Sequence, residues 1–478
     1  MTRTARIGFF LIAGSLLPSA AVCAQELPKT WIDKDTGHRV FRLTDQPNSS
    51  APYFNVNAYS PDGKWMMYTA PDGIHVLDLG SGKSRLLVPN PPRSAASGAA
   101  PRFPSGVHAV MAGYKTPSVF FTKFDPDTRT SALYKADMYT GEIAEVAKLA
   151  AGENVITINA DETLAAGTMN DGPAVYESAP PSSANERAAG ITQRESKGQM
   201  MERRLASRQP LLLYTIDLRP GPDNGKMKIL LRSTDWINHL LFSPKDADLL
   251  MYCHEGPWQK VNRIWTIHTD GSQDTLIHKR TMVMEIAGHE FWGLDGKTIW
   301  YDWQYPKGED FFLAGHNLET SERIAYHMQR DEWSIHFNVT RDGGLFAGDG
   351  GDPGQVARAP DGQWIELFRP QLLPHEGALD DTGLWQSGIL GSEHLVNMAH
   401  HNYRLEPNVR FSPDEKMVIF TSNMFGPSYV FGVEVARATN VDPAEVHSTP
   451  ELAARFNPIN PTPTNVIAPP APGQLTVH

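Results

Sequence analysis

At 478 residues, 41% hydrophobic and 20% charged, the sequence describes a soluble globular protein with enough apolar surface for a large core. Its formal net charge of −11 argues against nucleic acid as a ligand, because phosphate binding needs a basic field. Thirty-nine glycines and 37 prolines suit a turn-rich β protein.

The N-terminus MTRTARIGFFLIAGSLLPSAAVCAQ has Arg3 and Arg6, an apolar run from Ile7 to Leu17, and small residues at Ala21 and Ala24. This is the pattern of a secretory signal over 1–24, and it predicts a periplasmic or secreted protein. Val22 before Cys23 argues against a lipoprotein anchor. Cleavage removes Cys23, leaving Cys253 without a disulfide partner, and the loss of Arg3 and Arg6 takes the charge from −11 to −13. No later stretch approaches the ~18 consecutive apolar residues of a membrane span, so no membrane contact is expected after cleavage.

Next come DKDTGHRVFRLT, read as a turn and a strand, and Tyr53 to Thr69, read as a hairpin about Pro61-Asp62-Gly63. GIHVLDLGSGKSRLLV adds two strands, and four short strands in ~45 residues make the blade unit of a β-propeller. The unit recurs from Pro104 to Ala147 and from Asn154 to Leu231, where a polar insert at about 180–208, with five arginines and many helix formers, interrupts it. Further copies start at Trp236, Glu285, Trp333 and Val396. The count predicts an all-β, seven-bladed β-propeller over 25–440, with HRVFRLT as the outer strand that closes the last blade. Gly350 to Leu395 reads as irregular loop, and the Pro-rich tail 441–478 as extended or disordered.

One polar slot returns three residues before an apolar residue that opens a turn: His239 in HLLFSP, His289 in HEFWGLDG, His336 in HFNVTRDG and Asn408 in NVRFSPDEK. First strands of propeller blades line the central channel, so these four residues are expected to converge, with Glu406 pointing the same way two positions earlier. Imidazoles with a carboxylate and an amide suit divalent-metal binding, acid/base catalysis, or both; channel-water binding is the plain alternative. His254 in CHEGP, and His400 and His401, are assigned equally well to the channel rim or to surface turns. Gly348-Asp349-Gly350-Gly351-Asp352 lacks the acidic spacing of a calcium loop and reads as a turn. No GxSxG elbow is present, which argues against an attached esterase or peptidase.

At CHEGP, at GHEFW with its following DG, and at SIHFN leading to GDG, the chain resembles the oligogalacturonate lyase family. The likeness runs from about Trp31 to Val435. It implies a seven-bladed propeller that cleaves short 4-linked galacturonides by β-elimination with the help of manganese. By position, His239 matches the catalytic base and His289 a metal ligand. Where the family has Gln-x-x-His-Pro-His, this chain has Tyr403-Arg404-Leu405-Glu406-Pro407-Asn408, an oxygen-richer set suited to Mn2+, Mg2+ or Ca2+. The expected metal set is therefore His289, His336, Glu406 and Asn408. Elimination also needs a positive group at the uronate carboxylate, from metal or from Arg204, Arg208 or Arg404, and a proton donor to O4, from Tyr403, His254 or water. The expected partner is a uronate-containing oligosaccharide. A non-catalytic carbohydrate- or protein-binding propeller, and a hydrolase using the same metal, are the competing readings.

Overall fold

The computed structural model describes residues 26–91, 106–125, 130–173, 196–357, 359–375 and 383–458, with 128 and 175. The predicted signal, most of the insert and the last part of the tail lie outside them. Seven blades surround an axis. The first holds the strands Trp65–Ala70, Gly73–Asp78 and Lys83–Pro89, and the next two are four-stranded sheets that begin at Val107 and Thr157. Blade four runs Trp236–Phe242, Leu249–Glu255, Ile264–His268 and Thr275–Leu276, and blade five runs Ile286–Trp292, Thr298–Gln304, Phe311–Asn317 and Arg323–His327. Blade six holds Phe337–Val339, Phe346–Gly348, Trp364–Leu372 and Trp385–Asn397, and blade seven Arg410–Phe411, Met417–Ser422 and Tyr429–Arg437.

Each blade is sandwiched between two others, so its middle strands are covered on both faces and carry apolar runs instead of strict alternation. Leu250, Met251, Tyr252 and Cys253 are all fully buried, and so are Val418, Ile419 and Phe420. The ring closes as expected: His38–Arg42, from the N-terminal end, pairs antiparallel with Tyr429–Arg437 as the outer strand of blade seven.

Three expectations change. Residues Trp364–Leu372 and Trp385–Asn397, read as loop, are long paired strands. Their alternation was hidden by Pro370 and four glycines between Gly377 and Gly391. The described part of the tail carries regular structure: Val446–His447 pairs parallel with Thr30–Asp33, and the helix Thr449–Ala454 buries Leu452 and Ala453. The first arm of the Tyr53–Thr69 hairpin makes only isolated bridges, Ser50 to Thr69 and Tyr59 to Met66. There the Arg410 guanidinium binds the carbonyls of Pro52, Tyr53 and Val56, taking the place of a ladder.

Candidate active site

The polar slot has a backbone cause. In blade four the pairing skips from Asn238 to Leu241, and in blade five from Gly288 to Phe291, so each inner strand bulges at its histidine. His239, His289 and Asn408 all adopt left-handed backbone, with φ of 48°, 47° and 56°. A bulge with an αL residue turns the side chain out of the ladder, here toward the axis. His336 arrives differently: Asp349 accepts its backbone N–H at 2.8 Å and its Nδ1 at 2.8 Å.

The sequence-predicted residues partly meet. The rings of His289 and His336 have centroids 4.8 Å apart, and His336 Nε2 lies 3.8 Å from Glu406 Oε2. A buried carboxylate stands behind each ring, Asp349 behind His336 and Asp302, 3.4 Å from Nδ1, behind His289. Burial pushes Asp302 up to about 8 and, together with His336, holds His289 well below the ordinary histidine value.

His239 stands on the other side of the mouth, its side chain 33% exposed and so open to a ligand. Its Nε2 is 3.2 Å from Glu255 Oε2, and Glu255 pairs in turn with the buried Arg263. Burial would raise the Glu255 carboxyl, but Arg263 and His239 outweigh it and keep it ionised. Arg263 lies 4.3 Å from the Trp258 ring, which also meets His289 edge-on at 4.9 Å. An ionised Glu255 favours the proton on Nε2, leaving Nδ1 of His239 as the lone pair.

Tyr53, not singled out in the sequence, completes the mouth. Its hydroxyl is 3.1 Å from His336 Nε2 and its ring centroid 6.0 Å from that of His239. With Asp349 taking the Nδ1 proton of His336, the phenol donates to Nε2. Burial, with Glu406 and Glu290 nearby, raises Tyr53 well above the usual phenol value and keeps it protonated.

Other candidates lie elsewhere. Tyr403, expected as a proton donor, is 3% exposed and donates its hydroxyl to the Asp349 carbonyl at 3.3 Å, bracing that residue from below. His254 sits on the sheet face opposite Cys253 and Glu255, stacked on Trp265 at 5.0 Å and 3.4 Å from Asp235. Arg208 binds that same Asp235 and donates to Thr234 at 2.8 Å. It caps the helix Lys197–Ser207, the described end of the insert, which docks on blade four through Glu202 to Lys260 and through Arg204, 3.9 Å over the Trp236 ring. Arg404 is exposed, and His401 is buried between Ser422 and the Leu405 carbonyl.

The expected metal set is not assembled. Asn408 accepts from the Phe54 N–H at 3.1 Å and donates to the Glu406 carbonyl at 2.8 Å, so its amide is turned to the neighbouring backbone. His336 Nε2 is taken by Tyr53. Among the described residues, no three His, Cys, Asp or Glu side chains are gathered closely enough to hold an ion. His289, His336 and Glu406 are the donors that come nearest to such a set.

The architecture and its mouth define a seven-bladed β-propeller with a histidine- and carboxylate-lined opening on one end of the axis. Residues 208–438 match the family described as oligogalacturonate lyase. An oligogalacturonide lyase of Pectobacterium atrosepticum is 26% identical over 223 residues, 44% of this chain and 53% of that protein. An oligogalacturonate lyase of Dickeya dadantii is 27% identical over 233 residues, 47% and 55% of the two chains. The alignments thus span about half the length of these curated relatives. The solved oligogalacturonate lyase of Vibrio parahaemolyticus superposes with a TM-score of 0.60 at 20% identity, covering 85% of this chain and 96% of the other. An oligogalacturonate lyase in complex with manganese gives 0.59 at 21%, with the same coverage. At these identities the two structures speak for the fold.

Proposed function

We propose that the protein is a lyase that cleaves short galacturonides by β-elimination, with His239 as the base. The observation that carries this is the His239–Glu255–Arg263 relay on a part-exposed histidine, with the ring of a protonated Tyr53 6.0 Å from the imidazole. In this reading Nδ1 of His239 removes the C5 proton, the C5–H electrons form the C4–C5 double bond, and the C4–O4 bond breaks. Tyr53 turns its O–H from His336 to O4 and gives it the proton; the His239 imidazolium then releases the C5 proton to solvent, and solvent reprotonates Tyr53. Arg204, over the Trp236 ring three residues before His239, is the arginine that supplies the positive charge the uronate carboxylate needs as negative charge builds, with Arg208 held beside it by Asp235.

Kinship with the oligogalacturonate lyases supports the substrate class. One solved relative is described with manganese. In this chain His289, His336 and Glu406 are the side chains closest to such a set, and no step is assigned to an ion. The N-terminal pattern supports export, which N-terminal sequencing of the mature protein would test: a first residue other than Gln25 would contradict it.

The assay is ultraviolet absorbance of the unsaturated product on a panel of oligogalacturonides, with and without chelator. Turnover lost in His239→Ala and reduced ~100-fold or more in Tyr53→Phe is the expected outcome. Binding of oligogalacturonide without turnover would assign the protein to the non-catalytic class, and a product heavier by one water would assign it to the hydrolases.

A further inference from the structure

Two residues further along each inner strand, on the same inward-facing rows as the histidine slots, lie Leu241, Phe291, Asn338 and Arg410. They line a second axial cavity, of about 390 Å³, below the histidine mouth. Phe54 separates the two: it stacks on His336 at 4.5 Å on one side, meets Phe291 at 5.8 Å, and lines the cavity on the other. The opposite wall is built by the turns Ser60 to Gly63, Pro244-Lys245 and Ser412-Pro413, so the cavity belongs to the other end of the propeller.

Its charge is unbalanced. Arg410 is 3% exposed; its Nη1 and Nη2 bind the carbonyls of Pro52, Tyr53 and Val56, but its Nε has no hydrogen-bond partner, and among the described residues no carboxylate pairs with it. Burying a guanidinium without a counter-charge is costly, and an anion in the cavity would relieve that cost. Lys245 and Arg341 also line the cavity, and neither side chain has an ion-pair partner among the described residues. Of the two lining carboxylates, Asp62 is paired with Lys64 outside the cavity and binds Ser60 and Tyr139, and Glu415 accepts the Arg341 backbone N–H at 2.7 Å, so the three cations of the lining outnumber its carboxylates. Tyr59, Tyr114 and Trp292 supply aromatic surface. A cavity of this volume, with aromatic walls and an excess of positive charge in its lining, has the size and chemistry of a small-ligand site.

We infer that this lower cavity binds an anionic molecule of monosaccharide size, a sugar carrying a carboxylate or a phosphate, through Arg410, Lys245 and Arg341. The site is separate from the lyase chemistry and does not depend on it. The test is calorimetric titration of the full chain with D-galacturonate, galactose 1-phosphate and galactose, repeated on His239→Ala and on Lys245→Ala/Arg341→Ala. Both cations of the double variant are exposed, so folding should survive where Arg410→Met carries a risk. The expected result is binding of at least one charged sugar, retained in His239→Ala and weakened tenfold or more in the double variant, with no binding of galactose. Whichever charged sugar binds more tightly identifies the anion. The inference is overturned if neither charged sugar binds, if galactose binds equally well, or if the double variant binds as the parent does. Turnover of oligogalacturonide, assayed in parallel, should be unchanged in the double variant. If turnover is absent from every form while Lys245 and Arg341 still govern binding, the lyase reading fails and this one stands.

Discussion

His239, His289 and Asn408 occupy a backbone region that histidine and asparagine tolerate better than most residues, and the slot therefore limits what can replace them. His239→Asn should keep the bulge and the fold while removing the base. Turnover should fall by roughly 100- to 10,000-fold with little change in Tm, whereas β-branched His239→Val should lose both. Glu255→Gln should lower kcat more than it changes KM, because the carboxylate acts through the histidine it orients. At His401 the prediction concerns pH. Burial holds this histidine at about 4 against the opposing hydrogen bond to Leu405, so below pH ~6.5 the unfolded chain takes up a proton that the native chain refuses. Its contribution is complete above that pH and is lost as pH falls toward 4, with a slope of up to ~1.4 kcal/mol per pH unit. Urea titrations of His401→Gln should show a shallower decline over that window. The slot itself was legible in the sequence, since His239, His289, His336 and Asn408 share one offset. The residues behind it were less so. Asp302 and Asp349 each lie thirteen positions after their histidine, a repeat present in the sequence, but Asp349 reads as part of a GDGG turn and Asp302 stands in an apolar strand with nothing else to mark it. Tyr53 left no such trace, because its segment is held by Arg410 and not by a strand register.

At the scale of elements, the site depends on how neighbouring strands and the helix fit together. A Cβ on Gly288 would come within 2.6 Å of Trp258 Cζ3, so the bare backbone of that strand is what lets the indole lie beneath Arg263 and against His289. Gly288→Ala should cost ~1–3 kcal/mol by overpacking and lower kcat, with near-ultraviolet circular dichroism reporting the displaced tryptophan. The helix Lys197–Ser207 has no buried residue and rests on surface pairs, with a capping box at Ser196 and Gln199. Ser196→Ala should remove ~1 kcal/mol from the helix alone. If the helix carries the substrate-facing arginines, KM should rise while kcat and Tm stay near the parent values; an unchanged KM would remove Arg204 and Arg208 from the substrate site. Helix formers in the insert announced this element, but its docking partners on blade four had no sequence signature.

For the whole molecule, closure of the ring is the cooperative step. Trp31 is fully buried, its Nε1 donates to Thr449 Oγ1 at 2.8 Å, and Thr449 donates to Asp33 at 2.6 Å, so both chain ends are fastened to blade seven. Trp31→Ala should destabilise the protein by ~3–5 kcal/mol, measured by denaturant unfolding, and unfolding should remain a single transition if the ring opens as a unit. The blade count and the closing strand were legible from turn spacing and from HRVFRLT. The ordered tail was not, since its proline content masked a short helix that is stable only in contact with the ring.

The joint between blades five and six has a further consequence. Trp385–Asn397 pairs in parallel with Arg323–His327, from Arg323–Trp385 to His327–Ile389, so the outer edges of the two blades are stitched into one eight-stranded sheet. His289 stands on the inner strand of one and His336 just ahead of the inner strand of the other. Among the described residues the five remaining blades each pair only within themselves or with the terminal segments Thr30–Asp33, His38–Arg42 and Val446–His447. The ring is therefore stiff along one arc and compliant elsewhere, and amide hydrogen exchange should find blades five and six opening together as one foldon. Breathing of the propeller will then vary the distance from His239 to Tyr53 far more than the separation of the two stitched imidazoles, giving the mouth one fixed jaw and one that can yield to ligands of different length.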